Sequence, residues 1–102
     1  MGNEYVSVNG ITIAAPQSAP IESFKGITAK HCQAWHELMT EIMTVEVRAE
    51  IRVCLARAEG YALALLDSEL VTEEENIRLG IELAERSTLR DWELQERETS
   101  RG

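Results

Sequence analysis

The apolar positions of this chain keep a helical spacing over a long stretch, from residue 28 to residue 67. Successive members of one apolar stripe are three or four residues apart, which places them on one face of a helix. The members of this stripe are Trp35, Leu38, Ile42, Val45, Ala49, Val53, Ala56, Gly60 and Leu63. Thr28 is a suitable N-cap residue. The pattern therefore predicts one long helix over residues 28–67.

A second apolar stripe lies roughly on the opposite side of the same predicted helix. Its members are Met43, Val47, Ile51, Cys54, Ala58, Tyr61 and Leu65. A helix with two apolar faces must be covered on two sides, and a short chain has few residues left to cover both. We therefore expect self-association, as a homodimer or a higher oligomer, through the first stripe.

Residues 44–53 also alternate between polar and apolar side chains, which is the pattern of a half-buried strand. The first stripe passes through this segment without losing its helical phase. Arg, Glu, Ala and Leu, which are frequent here, also favour helix. We prefer the helical interpretation; the alternatives are a strand over this segment and a break of the helix near Thr44.

The residues before the predicted helix carry a different signal. Strand-forming residues lie on both sides of Asn9-Gly10, the favoured pair for a two-residue turn, so residues 4–14 are predicted to form a β-hairpin. Residues 15–27 contain two prolines, which disfavour helix at the residues before them. We expect this segment to be an extended connector.

After the long helix, Thr72 and Glu75 have the spacing of a capping box, which predicts the start of a second helix over residues 73–86. A short helical segment over residues 88–97 is expected to follow. The short turn before Thr72 favours an antiparallel arrangement of the two main helices. The predicted fold is therefore mainly α, a single small domain over residues 1–102 in which an N-terminal β-hairpin precedes a helical hairpin.

Composition narrows the range of functions. The 102 residues include 18 acidic and 10 basic side chains, for a net charge of −8. An acidic surface repels phosphate groups, so direct nucleic-acid binding is not expected. No run of 18 apolar residues is present, so we expect no membrane span. The N-terminus lacks the pattern of a secretory signal, and we expect a cytoplasmic protein.

Cys32 and His36 are the best candidates for metal ligands, because residues four apart on a helix share one face. A structural zinc site takes four ligands, so a second chain would have to supply the other pair. The simpler interpretation is a buried thiol with a surface histidine near a helix N-terminus. Arg48 and Arg52, together with a lysine at position 25 or 30 (Lys25, Lys30), are candidates for binding a small anion at subunit interfaces.

The sequence contains no recognisable set of catalytic residues, so an enzyme is not expected, and no cofactor is implied. The leading hypothesis is a non-catalytic acidic protein that binds a partner protein and blocks or regulates it, as inhibitors from phages and mobile elements do. One alternative is an oligomer that binds a small anion such as a nucleotide, and another is a metal-binding oligomer. Trp35 and Trp92 are either anchors of an interface or parts of the core.

Overall fold

The computed structural model describes the backbone of Tyr5–Val8, Ile11–Ala14 and residues 20–101, and the side chains of residues 20–100. The elements in chain order are strand β1 (Tyr5–Val8), strand β2 (Ile11–Ala14), a 3-10 turn (Ile21–Ser23), and helices α1 (Ala29–Thr44), α2 (Arg48–Asp67) and α3 (Glu73–Arg101). The strands β1 and β2 pair antiparallel, with Val8 opposite Ile11. The turn predicted at Asn9-Gly10 and residues 15–19 of the predicted connector lie outside the described residues.

The predicted fold class is wrong. Over residues 20–101 the chain contains three α-helices and no strand, and these helices pack against one another in all three pairs. The predicted helix over residues 28–67 is divided into α1 and α2. The predicted helices over residues 73–86 and 88–97 are one continuous helix, α3. The packed part of the described chain is therefore all-helical, a three-helix arrangement instead of a helical hairpin.

The break between α1 and α2 falls at residues 45–47, where the chain is neither helix nor strand. β-Branched residues are concentrated here, and they lower helix propensity. The Thr44 hydroxyl donates to the carbonyl of Thr40 at 2.8 Å, and Val45 and Val47 have extended backbones. The Val45 carbonyl accepts hydrogen bonds from the Arg90 side chain instead of from a later turn of helix. Together these features let α2 turn back along α1.

The core is formed where all three helices meet. On α2, three members of the second apolar stripe, Cys54, Ala58 and Leu65, supply that helix's side of the core. Phe24 and Ile21, from the segment before α1, close one end. The other buried members are Trp35, Met39, Ile42, Ala62, Val71, Leu79 and Leu83. Burial of each large aliphatic side chain contributes about 1.5–3 kcal/mol, so this cluster is the main source of stability.

The turn between α2 and α3 has a defined geometry. The amide of Leu70 donates to the carbonyl of Leu65 at 2.9 Å, and the amide of Glu69 donates to that of Leu66 at 3.0 Å. This pair of bonds is a Schellman motif, which needs a left-handed residue after the helix. Glu69 has that conformation, with φ of 59°. The motif ends α2 and directs the chain into α3.

The predicted caps of the helices are confirmed. At the start of α3, the Glu75 amide donates to the Thr72 hydroxyl at 3.1 Å, and the Thr72 amide donates to the Glu75 carboxylate at 2.9 Å. Thr28 is the N-cap of α1, and its amide donates to Nδ1 of His31 at 3.0 Å. Local side-chain chemistry therefore fixes both helix starts.

Candidate protein-interaction surfaces

The break divides the stripe that was predicted to be an oligomer interface. In α1, Trp35 and Ile42 are fully buried in the protein's own core, and the indole N–H of Trp35 donates to Glu82 at 3.0 Å. Leu38 and Val45 are half-buried against that core. Trp35 and Ile42 are therefore not available to a partner, and the predicted stripe is not one continuous exposed surface.

The α2 half of the same stripe is on the surface. Its members are Ala49, Val53, Ala56, Gly60 and Leu63, all exposed, and we call this group the α2 face. The exposed fractions of Val53 and Leu63 are 58% and 55%. The second stripe occupies the opposite side of α2 and packs against α1 and α3, so the α2 face is left uncovered.

A second apolar surface lies on the outer side of α3. It consists of Ala84, Thr88, Leu89 and Trp92, on successive turns, and we call it the α3 patch. Trp92 is 57% exposed and Leu89 is 45% exposed, although both are large apolar side chains. Of the two tryptophans, one therefore belongs to the core and the other to the surface.

Acidic side chains border the α3 patch. Glu85 lies along its edge, and Glu96 lies one turn after Trp92. Both carboxylates are exposed, and neither has an ion-pair partner among the residues that the structure describes. Glu93 is already bound to Arg90 at 3.3 Å. The patch thus combines an exposed indole with free negative charge.

An open groove adjoins the patch and shares Glu85 and Leu89 with it. The other lining residues are Pro20, Ile21, Glu22, His36, Glu82 and Arg86. Within the groove, His36 Nε2 lies 2.9 Å from a carboxylate oxygen of Glu22. A backbone hydrogen bond and this contact with His36 lower the pKa of Glu22 below its usual value.

The described part of the chain places no third metal ligand close to the two predicted ones, Cys32 and His36. Cys32 is half-buried against the core, while His36 is on the surface beside Glu22. His31, next in sequence to Cys32, is occupied in capping α1. Over the described residues, no group of three or more His, Cys, Asp or Glu side chains is arranged to hold a metal ion.

The candidate anion-binding residues are also separated. Arg48 makes two hydrogen bonds with Asp91, at 2.8 and 3.3 Å, and this pairing raises the pKa of Arg48 and lowers that of Asp91. Arg52 lies one turn further along α2. Lys25 lies beside the turn at the far end of α2, and Lys30 is in the first turn of α1. Since α2 has 20 residues, or about 30 Å, the structure does not gather these cations.

The α3 patch is not apparent from the predicted elements, because Ala84 and Trp92 belong to two different predicted helices. In a continuous α3 these residues are eight positions apart, which is close to two full turns on one face. Leu89 lies between them and widens the apolar surface. A single helical period carried through residues 73–101 would have revealed the patch.

No family model, curated protein or solved structure matches this chain. None of the helices within the described residues is both long enough and apolar enough to cross a bilayer. Functional inference therefore rests on the exposed surfaces and their chemistry.

Proposed function

We propose that this chain is a non-catalytic acidic interaction protein that binds a partner protein through the α3 patch and blocks or regulates it in the cytoplasm. The observation that carries the proposal is the exposure of Trp92, with Leu89 packed on the same side of α3. Tryptophan is among the residue types most enriched in the energetic centres of protein interfaces. A solvent-exposed indole in an apolar surrounding is therefore a good anchor for a partner.

The charges around the patch support a particular kind of partner. Glu85 and Glu96 carry negative charge that no described residue neutralises, and the chain as a whole has a net charge of −8. A complementary partner presents an apolar pocket for the indole and lysine or arginine side chains around it. Such surfaces occur on proteins that bind nucleic acids, so occupying one would act as inhibition, as in phage and mobile-element inhibitors.

The expected loss of partner affinity follows from the role of Trp92 as the anchor of the interface. Truncation of a central interface tryptophan costs about 2 kcal/mol or more, which weakens binding roughly 30-fold. Loss of one charge at the rim is expected to matter less and mainly to slow association. Trp92→Ala should therefore weaken partner binding much more than Glu85→Gln does.

The test uses the full chain as bait, with partners stabilised by brief crosslinking and identified by mass spectrometry. Trp92→Ala should remove the specific partner, and high salt should weaken its capture because the charges at the rim are screened. The matched control is Ile77→Ala, which removes an equally exposed side chain on α3 about 22 Å from Trp92. Equal capture by the Trp92 variant and the wild-type chain would contradict the proposal.

A further inference from the structure

The α2 face has the periodicity of a helix-pairing seam. Its members are spaced four, three, four and three residues apart, which is the heptad spacing of helices that pack side by side. Its two larger side chains, Val53 and Leu63, are separated by the small residues Ala56 and Gly60. A Cβ atom placed on Gly60 would meet nothing within 4 Å, so the surface there is open to a neighbouring helix.

Two opposite charges lie on one flank of this seam. At 100° per residue, Arg52 and Glu59 project roughly 40° and 60° to the same side of Ala56. They are two turns apart, about 10 Å along the axis, so they do not meet within one chain. Both are exposed, and the described part of the chain offers neither of them a hydrogen-bond or ion-pair partner.

We propose that the α2 face binds a second copy of this chain, with the two α2 helices antiparallel and the two-fold axis passing beside Ala56. In such a pair, each flank of one helix meets the same flank of the other, and positions at equal distances on either side of the axis face each other. Arg52 of each copy then comes beside Glu59 of the other. The two charges that lack a partner in one chain therefore form two ion pairs across the dimer.

The apolar positions are complementary under the same symmetry. Leu63 of one copy faces Ala49 of the other, and Val53 faces Gly60. Each larger side chain therefore meets a small residue, as knobs-into-holes packing requires, and the small residues let the helix axes approach to about 8 Å. A parallel pair would instead place the Arg52 and Glu59 side chains of the two copies on opposite sides of the seam, and would set Gly60 against Gly60. Charge and shape thus favour the antiparallel arrangement.

The expected association is weak, because the seam spans only about 14 residues, or roughly 21 Å. Contacts of this size fall at the low end of specific interfaces, so we expect a monomer–dimer equilibrium on the micromolar scale. The α2 face and the α3 patch share no residue. Self-association and partner binding are therefore separable by mutation.

The first experiment measures the mass of the full chain by sedimentation equilibrium over a concentration series. The wild-type chain, of 11.4 kDa, should shift toward twice that mass. Arg52→Glu and Glu59→Arg should each weaken the dimer about tenfold or more, since each sets like charges together twice. The double variant should recover most of the affinity. A wild-type chain that stays monomeric into the millimolar range, or a double variant that is no better than the single ones, overturns the proposal.

The second experiment locates the interface with a matched pair of substitutions. Ala56→Glu places two carboxylates at the symmetry axis and should abolish the dimer. Ala84→Glu makes the same change at an exposed alanine in the α3 patch and should leave the dimer intact. The opposite result would show that α3 mediates self-association and would overturn the proposal.

The third experiment tests the helix orientation in a chain carrying Cys32→Ser. Oxidation of Ala56→Cys should give a covalent dimer, because only near the axis does a residue of an antiparallel pair face its own copy. Ala49→Cys should remain monomeric under the same conditions. Efficient crosslinking of Ala49→Cys would indicate parallel helices and overturn the antiparallel arrangement.

Discussion

The Arg90 side chain anchors the turn that separates α1 from α2. Among the side chains that the structure describes, Arg90 is the one charged side chain that is buried. Its Nε and Nη2 atoms donate to the Val45 carbonyl at 3.0 and 2.7 Å, and its Nη1 donates to Glu93 at 3.3 Å. The Val45 carbonyl has left the helical pattern of α1, so Arg90 supplies the donors that a further helical turn would have given it. We predict that Arg90→Met is strongly destabilising.

The magnitude follows from what the substitution removes and what it leaves. A hydrogen bond to a charged group contributes about 1.5–3 kcal/mol, and the two bonds to Val45 share one acceptor. Methionine keeps most of the apolar stem, so little packing is lost, but the carbonyl is left without a donor. Glu46, 4.0 Å from the guanidinium, is exposed and contributes little. We expect Arg90→Met to lower the free energy of unfolding by about 2–4 kcal/mol.

The assay is urea unfolding followed by far-UV circular dichroism, with the free energies of unfolding compared between variants. Arg97→Met is the matched control, because Arg97 makes only an exposed contact with Glu46 at 3.3 Å, and its loss should cost less than about 0.5 kcal/mol. Arg90→Lys should be intermediate, since one ammonium replaces the fork of donors. Equal stabilities of Arg90→Met and Arg97→Met would refute the role assigned to Arg90.

Three further predictions concern single positions. Gly26→Ala should lower the free energy of unfolding by about 2 kcal/mol or more, because the new Cβ would collide with a backbone carbonyl of the α2–α3 turn. Gly80→Ala, where the Cβ would meet open space, should raise it by about 0.5–1 kcal/mol. Thermal melts of the two variants and the wild-type chain test this difference. Glu69→Gly should raise the free energy of unfolding by about 0.5–1 kcal/mol, since glycine adopts a positive φ without strain; no gain in a urea titration would contradict this. Arg48 lowers the pKa of Asp91, so their ion pair stabilises the fold at pH values above the ordinary pKa of aspartate. This stabilisation is lost as the pH falls through the folded-state pKa of Asp91. The free energy of unfolding, measured over an acid titration, should therefore fall less in Asp91→Asn than in the wild-type chain.

The features predicted correctly from the sequence are those that depend on neighbouring residues. The helix start at Thr72 follows from a capping side chain and its partner three residues later, and the helix start at Thr28 follows from the N-cap preference of threonine. The predicted interruption between residues 86 and 88 is absent, because Ser87 continues the helix. In the structure, the Ser87 hydroxyl donates to the Ala84 carbonyl at 3.2 Å, so the side chain has its hydrogen-bond partner within the helix and does not interrupt it.

The sequence places a break near Thr44 among the alternatives but does not decide for it, because the anchor of the break lies 45 residues away in sequence. Local propensity at residues 44–47 is unfavourable to helix but does not require a turn. The turn forms because Arg90 satisfies the Val45 carbonyl and because the reversal brings Ile42 and Cys54 into one core. A one-dimensional pattern contains the apolar positions but not the contact that decides how they are folded together.

The turn also decides which apolar residues remain for binding. In a continuous helix, the stripe from Trp35 to Leu63 would have been one interface with a tryptophan at one end. Reversal of the chain places its first half in the core and leaves its second half outside, so the surface that remains contains only small and medium side chains. Such a surface suits close approach of another helix better than insertion into a deep pocket. The two exposed surfaces therefore have different chemistry, since the α2 face fits a second helix of the same kind, and the α3 patch, with Trp92, fits a pocket on another protein.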